Sequence, residues 1–116
     1  MIKKIVAVVG GRDFTDYNRL KKILDSVKGK ISSLVSGGAK GADQLVEKYA
    51  EDNQFNIKVF KADWESLGKK AGPVRNQQIV DKADVVIAFW NGDSRGTKST
   101  IEITKKSDKL LKIYNY

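Results

Sequence analysis

Apolar residues along the chain gather in short runs separated by longer polar stretches. Ile5 to Val9, Ile31 to Val35 and Val85 to Phe89 are rich in β-branched side chains and too short for core helices, the pattern of strands buried on both faces of a parallel sheet. Asn56 to Lys61 alternates Ile57 and Val59 with lysine and reads as a strand near a sheet edge, and Leu110 to Tyr114 gives a last strand. Between these runs the period changes to 3.6. Leu20, Ile23, Leu24 and Val27 mark a helix capped by Thr15 and ended by Gly29, and Leu45, Val46, Tyr49 and Ala50 mark a second reaching about Asn53. Pro73, favoured at the first helical position, opens a third helix to Lys82, and a weaker pattern places a fourth from about Lys98 to Ser107. Ala62 to Gly72 has little periodicity and reads as a loop.

Strands alternating with helices over short connections predict one α/β domain spanning residues 1–116, a three-layer Rossmann-like sandwich on a five-stranded parallel sheet. The preferred strand order is 3-2-1-4-5. It sets the loops after strands two, one and four side by side at the carboxyl edge, where ligands of such sheets bind, whereas 2-1-3-4-5 would spread them apart.

Those three loops carry the candidate chemistry. The central one is Ser36-Gly37-Gly38-Ala39-Lys40-Gly41-Ala42-Asp43, with Gly10-Gly11-Arg12-Asp13-Phe14 and Trp90-Asn91-Gly92-Asp93-Ser94-Arg95-Gly96-Thr97 at matching places. Glycines at a strand-to-helix corner permit positive φ and close approach of a ligand to the backbone, and the helix that follows offers unpaired N–H groups to an anion. A tight turn that binds nothing is the plain alternative for any one of them. Asp13, Asp43 and Asp93 supply one carboxylate per loop, suited to capping a helix or bonding ribose hydroxyls. Ser36, Ser94 and Thr97 are candidate phosphate donors. Trp64 and Trp90 flank the site as stacking platforms for a base, with core packing equally expected of Trp90.

Composition adds an electrostatic bias and several exclusions. Lys and Arg number 22 against 14 Asp and Glu, a net charge of +8 that attracts nucleotides, nucleic acid or acidic lipid, although most of the excess is lysine scattered over solvent faces. Three of the four arginines, Arg12, Arg75 and Arg95, fall in loops or at a helix start, where a planar fork grips phosphate. With no cysteine and no histidine, disulfides, thiolate chemistry and imidazole-dependent catalysis are excluded and a metal site is not expected; no cofactor is implied. The apolar run before Gly10 is too short for a membrane span or a signal-peptide core, so a cytoplasmic protein is expected. Neither the dinucleotide fingerprint nor the Gly-Lys-Ser/Thr order of a P-loop is present, which disfavours ATP hydrolysis.

Taken in order, Val9 to Phe14, Ser36 to Asp43, Ala71-Gly72-Pro73-Val74-Arg75-Asn76, Ala83-Asp84 through Trp90, and Ser94 to Thr97 resemble the YspA-related branch of the SLOG superfamily over nearly the whole chain. The resemblance implies a Rossmann-like domain that binds nucleotides or nucleotide-derived ligands. It also implies a distant relation to the Lonely-Guy phosphoribohydrolases and to the DNA-processing protein DprA. Arg75-Asn76 resembles the Arg-containing helix start of the phosphoribohydrolases and Gly96-Thr97 their phosphate-binding Gly-Thr. Their catalytic glutamate, three residues after that threonine, is Thr100 here, with Glu102 two residues later.

Three readings follow. The first is a binding module that senses, carries or sequesters a nucleotide or derivative through Gly10, Gly11, Arg12, Asp13, Phe14, Ser36, Gly37, Gly38, Ala39, Gly41, Asp43, Trp64, Pro73, Arg75, Asn76, Trp90, Asn91, Gly92, Ser94, Gly96 and Thr97. The second is an N-glycosidic hydrolase of nucleoside monophosphates, with Arg75 on the phosphate and Asp13, Asp93 or Glu102 as the carboxylate. The third, less favoured, is nucleic-acid binding through the basic surface. The resemblance further implies a homodimer or larger assembly, and the short apolar runs give no reason to expect a membrane partner.

Overall fold

In the computed structural model, which describes residues 2–116, strands β1 (Lys4–Gly10), β2 (Ile31–Ser36), β3 (Ile57–Val59), β4 (Val85–Trp90) and β5 (Leu110–Asn115) form one sheet. All neighbours are parallel and the order is β3-β2-β1-β4-β5, the order preferred because it sets the three loops side by side. The chain begins in the centre, moves to the β3 edge, returns to β4 beside β1 and finishes on β5. The direction of winding therefore reverses between β1 and β4, and the loops leaving these two strands part there to leave a crevice.

Helices α1 (Tyr17–Ser26) and α2 (Ala42–Asp52) cover one face; α4 (Ala71–Lys82) and α5 (Arg95–Lys106) cover the other, preceded by a short α3 (Trp64–Leu67). Alternation along the strands builds two cores. Val6, Val8, Leu34, Ile87 and Phe89 meet Leu20, Leu24, Val46 and Tyr49, whereas Ala7, Val9, Val35, Val86 and Ala88 meet Ile79, Val80 and Ile101. Burying each large side chain contributes about 1.5 to 3 kcal/mol, enough to fix which face every strand residue takes. Asp84, within one of the motifs, locks the central strands together: Ile5 N donates to its carboxylate at 2.9 Å and its own N–H to Ile5 O at 2.8 Å.

Several boundaries differ from the sequence pattern, each for a local reason. The cap of α1 is Asp16 rather than Thr15, its carboxylate accepting from Arg19 N at 3.0 Å. Gly29 does not end that helix; Val27 N bonds Leu24 O, and Gly29 lies inside a following 3-10 turn, Lys28–Lys30. Ala62 to Gly72 is not all loop but holds α3, capped by Asp63, and a 3-10 turn, Gly68–Lys70. α4 starts at Ala71, so Pro73 is its third residue, still in the first turn, where its missing N–H is not needed. α5 starts at Arg95 because Ser94 caps it, accepting from Thr97 N. No described helix is long and apolar enough to cross a membrane.

The carboxyl end of α4 is closed by a residue far along the chain. Lys109 Nζ donates to the carbonyls of Val80 at 2.6 Å, Asp81 at 3.0 Å and Ala83 at 2.7 Å, satisfying acceptors a helix end leaves free and placing a cation at the negative dipole end. Replacing Lys109 with Met should lower unfolding free energy by about 1.5 kcal/mol, the low end for hydrogen bonds to a charged group because the site is only half-buried. Chemical denaturation read by circular dichroism checks this; an unchanged midpoint refutes it.

Candidate functional site

The β1–α1 loop is fixed from below by Phe14. Its ring is buried in the core, stacked on Phe89 with centroids 4.4 Å apart, so it anchors the loop instead of facing the crevice. Arg12 and Asp13 are thereby held up at the surface. Tyr116 Oη donates to Asp13 Oδ1 at 2.5 Å and Asn91 Nδ2 to Oδ2 at 3.4 Å. These bonds, the tyrosine's foremost, hold the Asp13 carboxyl below its ordinary pKa, so it stands as an ionised acceptor. Gly41 brings the second loop against the first. Its φ is +80°, and a Cβ there would collide with Gly11 O and the Arg12 backbone, while Ala42 N donates to Gly11 O at 3.3 Å.

In the β2–α2 loop two opposite charges sit on either side of Gly37. Arg75 Nη1 donates to Gly37 O at 2.7 Å, and Asp43 Oδ2 accepts from Ala39 N at 3.1 Å. A methyl group on Gly37 would lie 2.9 Å from Arg75 Nη1 and 3.0 Å from Asp43 Oδ2. Asp43 is 5% exposed, and its Oδ1 has no hydrogen-bond partner among the described residues. Burial pushes its carboxyl up to about 6, against the pull of Ala39 N–H and the Arg75 charge. Burial likewise depresses the Arg75 guanidinium, with Asp43 resisting and Arg12 adding to the effect. Ser36 is buried below this loop, bonded to Glu47 and Gly38 N, and braces the turn.

Arg75 is oriented by its neighbour. Its Nε donates to Asn76 Oδ1 at 2.9 Å, and the buried Asn76 passes the link to Gly96 O at 3.4 Å. A chain of bonds thus runs from Gly37 through α4 to the first turn of α5. There Asn91 Oδ1 accepts from Asp93 N and Ser94 N, and the Ser94 and Thr97 hydroxyls lie 3.0 Å apart. The first amides of α5 have no intrahelical partner. At Gly96 a side chain would meet open space.

Two adjoining compartments result. The larger, about 490 Å³, is lined by the three loops and α4: Gly10, Gly11, Arg12, Asp13, Ala39, Asp43, Arg75, Asn76, Asn91, Asp93, Ser94, Gly96 and Thr97, with Val9, Ile79 and Thr100 beneath. The second, about 390 Å³, shares Arg12, Ala39 and Arg75 and adds Gly37, Gly38, Lys40, Lys61, Ala62 and Trp64. Outside both lie Phe14, Ser36, Gly41, Pro73, Gly92 and Trp90, whose indole donates to Ser94 O at 3.1 Å and so supports the third loop. Glu102 is exposed on α5 and lines neither; Thr100 is buried at the cavity floor, its hydroxyl bonded to Gly96 O. Sequence reasoning passed over Lys61 and Tyr116, although each follows a strand end at the same edge.

Asp43 makes the folded state sensitive to pH. The folded protein holds the Asp43 proton where the unfolded chain has released it, so this residue makes stability fall as pH rises from 3.8 to about 6, by about 3 kcal/mol. The lowered carboxyls Asp13, Asp25 and Asp52 act in the opposite sense. Asp43→Asn isolates the effect. Denaturation across this window should show wild type losing stability relative to the variant as pH rises; parallel profiles would exclude the buried charge as the cause.

Comparison with known proteins agrees with this architecture. A relative from Mycobacterium phage D29, Gene 61 protein, is 40% identical over 80 residues, covering 64% of this chain and 64% of its own. DprA from Streptococcus pneumoniae superposes on 97% of this chain with a TM-score of 0.80 at 19% identity, matched over 50% of its length. DprA from Helicobacter pylori, for which a single-stranded DNA binding mode is described, superposes on 94% at TM-score 0.68 and 21% identity, matched over 64%. The chain therefore spans less than two thirds of each of these relatives, and the DprA likenesses concern the fold. Residues 4–66, which contain β1, β2, β3 and the two glycine loops between them, match the YspA, cpYpsA-related SLOG family, and the chain belongs to that family.

Proposed function

We propose that this domain binds a nucleotide or nucleotide-derived small molecule in the crevice, as a sensor, carrier or sequestering protein. One observation carries the reading: Arg12, Arg75 and the first turn of α5 converge on a single cavity of about 490 Å³. Neither guanidinium has a carboxylate within 4 Å among the described residues, so both keep capacity for an anion. The free amides of α5 and the open space at Gly96 suit a phosphoryl group. Asp13 and Asp93 line the same space, as acceptors for the hydroxyl or amino donors of a sugar or base, with the buried Asp43 in its wall.

The hydrolase alternative has less support. The position of the phosphoribohydrolase glutamate is the buried Thr100 and Glu102 lies away from the cavity, which leaves Asp13 and Asp93, both lining it, as the carboxylates that reading would need. A continuous DNA strand also suits the crevice less well, because three aspartates would face its phosphates.

Thermal denaturation with mono- and dinucleotides of adenine and guanine tests the proposal. A ligand at one hundred times its dissociation constant should add about 2.7 kcal/mol. Gly96→Leu should abolish that gain while leaving the ligand-free protein at least as stable as wild type, because Gly96 lines the cavity and a Cβ there meets no atom within 4 Å. Arg75→Lys should retain part of the affinity, since an ammonium cannot reproduce the fork. No stabilisation by any nucleotide, or full stabilisation of Gly96→Leu, refutes the assignment.

A further inference from the structure

The two compartments differ in charge. The first sets Arg12 and Arg75 against Asp13, Asp43 and Asp93. The second is lined by Arg12, Lys40, Lys61 and Arg75 and, among the described residues, by no carboxylate. Arg12, Lys40 and Lys61 make no side-chain hydrogen bond or ion pair with any described residue, and Arg75 bonds only neutral acceptors. Four cations around one recess repel one another, and an anion placed among them removes that cost.

The recess is also built. The stem of Lys61 runs along the open side of Gly38, where a Cβ would lie 3.1 Å from its Cγ and 3.8 Å from its Cε. Opposite, Trp64 is 56% exposed on the four-residue α3, with Cη2 3.4 Å from where a Cβ on Gly72 would lie. An exposed indole beside a cluster of cations offers a stacking face for a base next to sites for phosphate. At about 490 and 390 Å³, each compartment alone falls within the range for a small-molecule site.

We infer that the second compartment is a subsite for the distal half of a ligand in which two nucleoside or sugar units are joined through phosphate. The bridge lies at the waist between Arg12 and Arg75, the charged residues common to both compartments, and the distal unit lies against Trp64 with Lys40 and Lys61 on its phosphates. This rests on the nucleotide-binding reading and narrows it. The three aspartates confine the sugar and base of the proximal unit to the first compartment, and the lack of acid in the second admits further phosphate there.

Isothermal calorimetry on the full chain, pairing AMP with pyrophosphate-bridged diadenosine and GMP with its diguanosine counterpart, tests the inference. At least one bridged compound should bind ten-fold or more tightly than its mononucleotide. Lys61→Met, which keeps the stem over Gly38, and Trp64→Ala should each reduce that advantage at least five-fold and change mononucleotide affinity less than two-fold. Circular dichroism would verify folding. A mononucleotide that binds as tightly as its bridged partner, or variants that weaken both equally, overturns the subsite and leaves the nucleotide reading standing. Absence of binding by all four compounds overturns both. Tighter binding of a ten-residue oligothymidylate than of either bridged compound overturns the subsite in favour of a strand.

Discussion

Gly37 keeps a buried carboxylate and a half-buried guanidinium close but unpaired. Were Asp43 and Arg75 to close on each other, their charges would neutralise and the crevice would lose both an acceptor and a donor. The backbone between them prevents this: Arg75 is drawn to Gly37 O, and Asp43 to Ala39 N. Each charge then remains partly desolvated and incompletely satisfied, a condition that persists only where surrounding packing enforces it. Asp43 enters α2 between Ala42 and residues packed on the sheet, and Arg75 is aimed by the buried Asn76.

The rest of the edge depends on that arrangement. Asn76 joins α4 to α5 through Gly96 O, Gly41 lays the second loop on the first, and Trp90 holds the third through Ser94 O. The loops are thus tied to one another as well as to their strands. At the opposite end of α4, Lys109 gathers three carbonyls. This helix is fastened at both ends, so the Arg75 guanidinium is carried by a rigid support.

Much of the architecture was legible because burial on two faces leaves a short, continuous apolar signature, and the central strands carry it. The order 3-2-1-4-5 followed from asking which arrangement brings glycine loops together. Local detail was harder to read. α3 has only four residues and no apolar face long enough to display a period, and the start of α5 is set by the Ser94 cap while its buried residues are largely threonines. In the crevice, Phe14 was read as a site residue because it adjoins Arg12 and Asp13, yet a large ring three residues past Gly11 gains more from stacking on Phe89 than from water. The unpartnered oxygen of Asp43 had no sequence signal, since an acid in a first helical turn ordinarily satisfies itself on exposed amides.

The crevice divides into ground that can change and ground that cannot. At Gly41 any side chain would strike the opposing backbone, so alteration there is paid in folding, and at Gly37 one would displace the two charged groups beside it. At Gly96 the same alteration meets nothing. A lineage drifting under selection for a smaller or differently shaped occupant would therefore find its open road at the head of α5, with depth and contour of the cavity free to vary while the scaffold around the second loop stays frozen.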